Sequence, residues 1–215
     1  MISLLDSSRV QRLLCLGAHC DDIEIGAGGT VLKLAAANPQ LQVRWVVFGA
    51  QDEKRREEAR RGANLFLAAV QQKQVELLDF RDAFMRYDGV RLKEQFERLK
   101  GQFNPDLILT HHDDDRHQDH RFVNELTWNT WRDHTILEYE IFKYDGDLGR
   151  PNVFVPITEE IAGKKVAHLF DAFASQSSKQ WFTPDVFLGL MRLRGVECNS
   201  PTMFAEAFHA RKLTL

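Results

Sequence analysis

Cysteine is scarce in this sequence: Cys15, Cys20 and Cys198 are the three present, an odd number with no Cys-x-x-Cys spacing. So sparse a set excludes a disulfide framework and points to a reducing compartment. Long apolar runs are also missing. Nothing approaches the roughly 18 residues of a membrane-spanning helix, and Met1-Ile2-Ser3-Leu4-Leu5-Asp6 lacks the basic segment of a secretory signal. A cytoplasmic protein with no transmembrane segment is the expectation. Neither sign of charge dominates, with 28 Lys and Arg against 31 Asp and Glu. A net charge of −3 leaves no electrostatic footprint for nucleic acid or for an anionic membrane surface. No repeat, linker or low-complexity tract interrupts the chain.

What is present suffices for one substantial core. With 215 residues, 44% of them hydrophobic, the expectation is a single domain over 1–215. Arg12 to Gly17 reads as a buried strand, and a helix is expected from Gly26 to about Ala37, stopped by Asn38-Pro39. Val43 to Phe48 is a second strand, and Asp52 is positioned to cap a helix through Ala69. Val75 to Leu78, a helix over Val90 to Phe103 and the strand Leu107 to Thr110 follow, with Asn104-Pro105-Asp106 as punctuation. Phe122 to Trp131 has helical spacing. Ile136 to Phe142 alternates apolar and acidic residues as a more exposed strand does. Val153 to Ile157, a helix after Thr158, a helix over Trp181 to Leu193 and a strand over Phe204 to Ala210 complete the chain. Strands separated by helices imply an α/β fold: a Rossmann-like, doubly wound, mostly parallel sheet flanked by helices. In the common strand order 3-2-1-4-5 the first and fourth strands meet at the switch point, where ligands bind.

Two polar segments follow those two strands. The first is Ala18-His19-Cys20-Asp21-Asp22-Ile23-Glu24. The second, residues 111–120, packs four histidines and four aspartates into His-His-Asp-Asp-Asp-Arg-His-Gln-Asp-His. Burying such a cluster without partners costs several kcal/mol per charge, roughly, so it is either a solvated loop or organised around a cation. The strand order brings His19, Asp21 and Asp22 beside His117, Asp119 and His120. Two imidazoles and a carboxylate from separate loops suit a tetrahedral zinc site with one position left for water. His19 and Asp22, spaced His-x-x-Asp, reach one ion from a single turn, and a later histidine completes the set. Asp21 is then the candidate to take a proton from zinc-bound water, while the second segment offers a histidine ligand, a histidine for an oxyanion and an orienting aspartate.

These residues resemble the PIG-L (LmbE-like) family of zinc-dependent N-deacetylases. The motif Ala-His-Pro-Asp-Asp-x-Glu is matched by Ala18 to Glu24 except at Cys20. The motif His-x-x-Asp-x-His-x-Asp-His is matched by His112, Asp115, His117, Asp119 and His120. Similarity continues through Arg55-Arg56-Glu57-Glu58-Ala59, Asn104-Pro105-Asp106-Leu107, Ser175-Gln176 and Ala205-Glu206-Ala207-Phe208. The resemblance implies His19, Asp22 and His120 as ligands of Zn2+ or another divalent metal, and Asp21 as general base. It also implies His117 as acid or oxyanion stabiliser held by Asp119, and Arg55 as an active-site arginine that contacts substrate. The implied reaction removes an N-acetyl or other N-acyl group from a glucosamine-type sugar or sugar conjugate, a small-molecule partner. Assembly into a homo-oligomer is left open.

Plainer readings stand beside these. Gly26-x-Gly28-Gly29 follows the polar motif rather than forming the first strand-to-helix turn, which argues against a dinucleotide site. Asp113 and Asp114 read equally well as solvated loop, and Arg55 as one charge on a helix face. Phe84, Tyr87, Trp128 and Trp131 read as packing, and Cys15 and Cys198 as buried filler. Three departures from the family pattern are Cys20 for proline, Asn64-Leu65-Phe66 for Leu-Gly, and Phe204 for a tyrosine before Ala-Glu. Cys20 and Phe204 motivate an alternative, a metal-containing sugar- or nucleotide-binding protein of the same fold with altered catalysis. The abundance of aspartates suggests a third reading, phosphoester hydrolysis. Loops 81–89 and 143–152 are expected to set specificity.

Overall fold

The computed structural model describes residues 9–214, so the N-terminal segment Met1 to Asp6 lies outside the described residues. Among the described residues one sheet of seven strands runs in the order β3-β2-β1-β4-β5-β7-β6. Five of these are parallel: β1 (Arg12–Gly17), β2 (Gln42–Val47), β3 (Gln72–Leu77), β4 (Leu107–His111) and β5 (Thr135–Tyr139). The expected 3-2-1-4-5 order is therefore present. The continuous apolar run of β1 explains its place at the centre: Leu13 pairs with Val43 on one side and Leu107 on the other, and both faces are covered.

Helices cover the two faces. α1 (Asp22–Ala37), α2 (Glu53–Phe66), α5 (Glu159–Ala172) and α6 (Pro184–Glu197) pack one apolar layer around Leu13, Trp45, Phe66 and Phe173. On the other face α3 (Gly89–Gln102) and α4 (Gln118–Thr130) close over Leu14, Phe48, Phe96 and Trp131. Capping follows the sequence. Asp52 Oδ1 accepts the Arg55 N–H at 2.8 Å to start α2, and Thr158 Oγ1 accepts the Ile161 N–H at 3.2 Å to start α5.

The structure corrects the sequence reading in several places. α1 begins at Asp22, not Gly26, so the glycines lie inside the helix. Each permits a close approach: a Cβ at Gly26 would meet the Tyr139 ring at 2.3 Å, and one at Gly28 the Phe66 ring at 2.4 Å. At Gly29 a Cβ would meet Glu206 Oε1 at 2.9 Å. Packing, not a cofactor, accounts for the pattern. The strand β5 is buried, not exposed, because β4 and the antiparallel β7 (Phe204–His209) enclose it. Its acidic residues have partners inside: Glu138 binds the Trp128 indole, Arg211 and His112, and Glu140 beside it binds Arg194. β7 also pairs antiparallel with β6 (Val153–Ile157). The helix expected from Trp181 starts at Pro184, and Trp181 and Phe182 form an aromatic knot with Phe187 before it. Trp131 is core and Trp128 half-buried, but Phe84 and Tyr87, read as packing, are 42% and 81% exposed. Among the described residues no helix is long and apolar enough to cross a membrane.

Candidate metal centre

Adjacency of β1 and β4 places the loop 18–21 against the loop 112–117 at the carboxyl end of the sheet. Fully buried His111, the last residue of β4, ties them together. Its Nε2 accepts the Ala18 N–H at 2.9 Å, while the Asn124 side chain donates to its carbonyl at 2.7 Å. Burial and the neighbouring His120 push the His111 pKa down to about 4, so it stays neutral at ordinary pH. Two helix N-termini, of α1 at Asp22 and of α4 at Gln118, point at this junction, where their free N–H groups favour carboxylates.

Three side chains converge on one point. His19 Nδ1 lies 3.1 Å from His120 Nε2 and 3.3 Å from Asp22 Oδ2, and His120 Nε2 lies 3.4 Å from Asp22 Oδ1. Donors at about 2.05 Å in tetrahedral array stand roughly 3.3–3.4 Å apart, so this triangle has the dimensions of one coordination face. The outer nitrogens face carboxylates. His120 Nδ1 meets Asp115 Oδ2 at 2.9 Å, and His19 Nε2 faces Asp82 Oδ1 at 3.0 Å and Asp119 Oδ2 at 3.4 Å. The bond to Asp115 keeps the proton on His120 Nδ1 and turns its Nε2 lone pair inward, and the two carboxylates at ion-pair distance from His19 Nε2, outside hydrogen-bond geometry, favour the same tautomer there. The two inner nitrogens stand 3.1 Å apart, a separation that either a shared proton or a cation coordinated by both accounts for. Burial disfavours charge on His19 and His120. Asp22 with Asp119 and Asp82 around His19, and Asp22 with Asp115 around His120, outweigh it and raise both pKa values. The Asp22 carboxyl is held low despite burial by His120, His111 and His19. The residues present fit a divalent metal.

Asp21 stands beside the triangle, 7% exposed, with its Oδ2 held by Arg55 Nη2 at 2.9 Å. Arg55 Nη1 binds Glu58 at 2.6 Å and Ser175 Oγ at 3.2 Å, and Glu58 in turn accepts the Ser175 N–H at 2.8 Å. Arg55 is therefore more than one charge on a helix face. His117 caps α4, its Nδ1 accepting the Asp119 N–H at 3.3 Å, which leaves Nε2 to carry the proton of the neutral ring. Burial, His120 and His19 lower its pKa. The expected partnership of Asp119 with His117 thus takes another form. The backbone N–H of Asp119 meets the ring, while its carboxylate accepts the Ala83 N–H at 2.7 Å and faces His19.

Sequence reasoning underrated Asp115 and missed His111, Asp82 and Lys143. Asp115 accepts from the His117 N–H at 2.7 Å, from Lys143 Nζ at 2.9 Å and from His120, so it fixes three parts of the site. Its signal was its place in the second motif, between His112 and His117. Asp113, by contrast, is half-exposed and pairs with Arg211 at 3.1 Å. Cys20 is 2% exposed, directs its Sγ to the Gly49 carbonyl at 3.6 Å, and has its thiol pKa pushed up to about 12 by burial. It is a protonated packing group rather than a competing ligand. Phe204 lies under the Arg192 guanidinium at 5.3 Å and does not line the cleft.

A cleft of about 460 Å³ opens over the triangle. His19, Asp21, Asp22, Arg55, His117 and His120 all line it, and Phe80, Phe142, Trp181 and Lys179 widen the wall; Asp119 stands behind. Fold and site together define a class: Rossmann-like α/β proteins with a histidine–carboxylate cluster at the switch point. The sequence pattern of one such family, PIG-L, described as GlcNAc-PI de-N-acetylase, matches residues 14–131, and the chain belongs to that family. It is 30% identical over 178 residues to the uncharacterized deacetylase YaiS of Escherichia coli K12, covering 78% of this chain and 94% of YaiS. Among solved structures it is similar to N,N'-diacetylchitobiose deacetylase from Pyrococcus horikoshii, with TM-score 0.70 and 19% identity over 94% of this chain and 84% of that one. It is also similar to GalB, the 4-carboxy-2-hydroxymuconate hydratase of Pseudomonas putida KT2440, with TM-score 0.75 and 18% identity over 95% and 98%. At such identities these likenesses establish the fold.

Proposed function

We propose that this chain is a metal-dependent amidohydrolase that removes the N-acetyl group of a glucosamine-type sugar or sugar conjugate. The observation that carries the reading is the triangle of inward-facing donors on His19, Asp22 and His120, with a carboxylate and a histidine flanking it. Those three residues would hold Zn2+, or another divalent ion with the same preferences. Such an ion supplies Lewis acidity, which makes water acidic near neutral pH and polarises a carbonyl.

The protein's own groups do the rest. Asp21 takes the proton of the attacking water, its carboxylate aimed by Arg55, which engages Oδ2 and leaves Oδ1 to the water. The water oxygen bonds to the acetyl carbon, and His117 donates Nε2–H to the oxygen on which negative charge develops. Asp21 then returns its proton to the nitrogen as the C–N bond breaks, giving acetate and the free amine. Arg55 also lines the cleft and meets the sugar there. Family membership and the deacetylase relatives support the same reaction class.

Acetate release from a panel of N-acetylglucosamine conjugates, with added Zn2+ and after chelation, tests the reading. Asp21→Asn is expected to lower kcat about 10²–10⁴-fold, the range for loss of a general base. Metal-loaded protein inactive on every amide, or an equally active variant, would overturn it. One observation favours a second reading: the likeness to GalB shows that this fold also carries a hydratase. Water addition to an unsaturated carboxylate would appear as loss of conjugated absorbance without acetate. The binding-protein alternative raised by Cys20 and Phe204 would show in the same assay as ligand affinity without acetate release.

A further inference from the structure

The loop after β3 holds a feature that the chemistry above does not use. Ala83 has φ 65°, a left-handed conformation that costs a residue with a Cβ and that glycine would adopt freely. Strain of this kind persists only where the surroundings enforce it. Here the first turn of α4 enforces it from both sides of the residue. The Ala83 N–H donates to Asp119 Oδ2 at 2.7 Å, and the Ala83 carbonyl accepts from Gln118 Nε2 at 2.6 Å. The consequence falls on the preceding residue. Asp82, with its side chain 73% exposed, is set with Oδ1 3.0 Å from His19 Nε2. The same nitrogen lies 3.4 Å from fully buried Asp119. His19 is thus faced by two carboxylates, one fixed in the core and one presented by a strained loop that the first one anchors.

We propose that Asp82 is a positioning residue for the metal centre: Asp119 and Gln118 latch Ala83 in its left-handed conformation, and the latched loop uses Asp82 to hold the His19 ring with Nδ1 turned to the metal. The inference rests on the metal reading above. It differs from it in assigning ligand geometry to a loop exposed in the cleft, where substrate and solvent act on it, rather than to the sheet alone. An outer carboxylate partner of a metal-bound histidine is worth about 10–100-fold in metal affinity. Because Asp82 is largely exposed and Asp119 remains, the effect is expected at the lower end.

The test measures Zn2+ affinity by chelator competition and the visible absorption of the Co2+-loaded protein, with no substrate present. Asp82→Ala is expected to bind about tenfold more weakly and to alter the Co2+ spectrum, and Asp82→Asn to recover part of the loss because its amide oxygen keeps its place beside His19 Nε2. Ala83→Pro, which can neither adopt the positive φ nor donate an N–H, is expected to reproduce the Asp82→Ala loss with the fold intact by circular dichroism. Ala83→Gly keeps affinity within twofold. Wild-type affinity and spectrum in Asp82→Ala, or in a folded Ala83→Pro, would overturn the latch while leaving the metal reading in place. A wild-type protein that binds no divalent ion would overturn both.

Discussion

Replacing Glu206 by glutamine perturbs the metal centre from the far side of α1. The carboxylate of Glu206 enters the middle of that helix: Oε1 accepts the Gly29 N–H at 2.7 Å and Oε2 the Thr30 N–H at 2.6 Å. Buried Lys165 donates to Glu206 Oε1 and to the Ile25 carbonyl, both at 2.6 Å. In an uninterrupted α-helix Gly29 N–H would bond that same carbonyl. The ion pair is therefore wedged into the helix's own ladder, and Gly29 is glycine because Glu206 must come this close. Glu206→Gln keeps one acceptor, turns an NH2 toward a donor, and strands the ammonium of Lys165 in a site only 3% exposed. Breaking a buried pair in this way costs about 3–5 kcal/mol. For a chain of this length that corresponds to a fall in Tm of roughly 6–20 °C.

Removing both charges has a different outcome. In Lys165→Met with Glu206→Leu the freed groups have partners waiting, since Gly29 N–H can return to the Ile25 carbonyl and Thr30 N–H to that of Gly26. Stability is then expected to recover by at least about 2 kcal/mol over Glu206→Gln. The first turn of this helix carries Asp22 with Asp21 at its cap, so re-forming the ladder is expected to lower metal affinity although stability returns. Thermal and urea unfolding of the three proteins, with Zn2+ titration of each, provides the measurement. A loss below about 1 kcal/mol in Glu206→Gln, or a double variant no more stable than the single one, would refute the wedge.

Two further outcomes follow from the site itself. Asp115→Asn removes the charge that holds the His120 Nδ1 proton and frees Lys143, so Zn2+ affinity measured by calorimetry should fall about 10–100-fold with little change in secondary structure. The pH dependence of the metal-free protein carries the mark of His111. Its folded pKa, about 4, lies below the unfolded value of roughly 6.5, so the unfolded chain binds the extra proton. The stability contributed is full above pH ~6.5 and is lost as pH falls toward 4, by about 3 kcal/mol in all. His111→Gln should flatten urea-unfolding stability over that window; an unchanged slope would remove His111 as its cause.

The parts of this molecule that could be read in the sequence are those specified over short distances. An apolar run ending in a polar loop defines a strand and its carboxyl end, and the alternation with helices fixes the parallel order. That order alone brings His19 to His120 across 101 residues. What escaped notice depends on partners that only the folded chain supplies. Glu138 and Glu140 made β5 look exposed, because nothing nearby announces that Arg211 and Arg194 arrive to neutralise them. The insertion of β7 between β5 and β6 was equally hidden, since Phe204 to His209 reads the same at any edge. Asp82 sits in a loop with no motif, and its role becomes visible only when Asp119 is seen holding Ala83. The glycines of α1 were legible as unusual but not as contacts, because Tyr139, Phe66 and Glu206 come from elsewhere.

The raised pKa values of His19 and His120 and the fit of the site to a dication have one origin. Five carboxylates, that of Asp22 in the triangle and those of Asp21, Asp82, Asp115 and Asp119 around it, stand against the cations Arg55 and Lys143. The excess negative charge must be met by protons on the imidazoles or by a metal, and the two compete for the same lone pairs on His19 Nδ1 and His120 Nε2. Zn2+ binding at neutral pH is therefore expected to release at least one proton, and its apparent affinity to fall about tenfold or more per unit as pH drops below the histidine pKa values. Calorimetry in buffers of different ionisation enthalpy counts the protons directly. In His120→Ala the count should fall together with affinity. Binding without proton release in the wild-type protein would mean that the ion does not sit between these two histidines, and the triangle would lose its claim to be the metal centre.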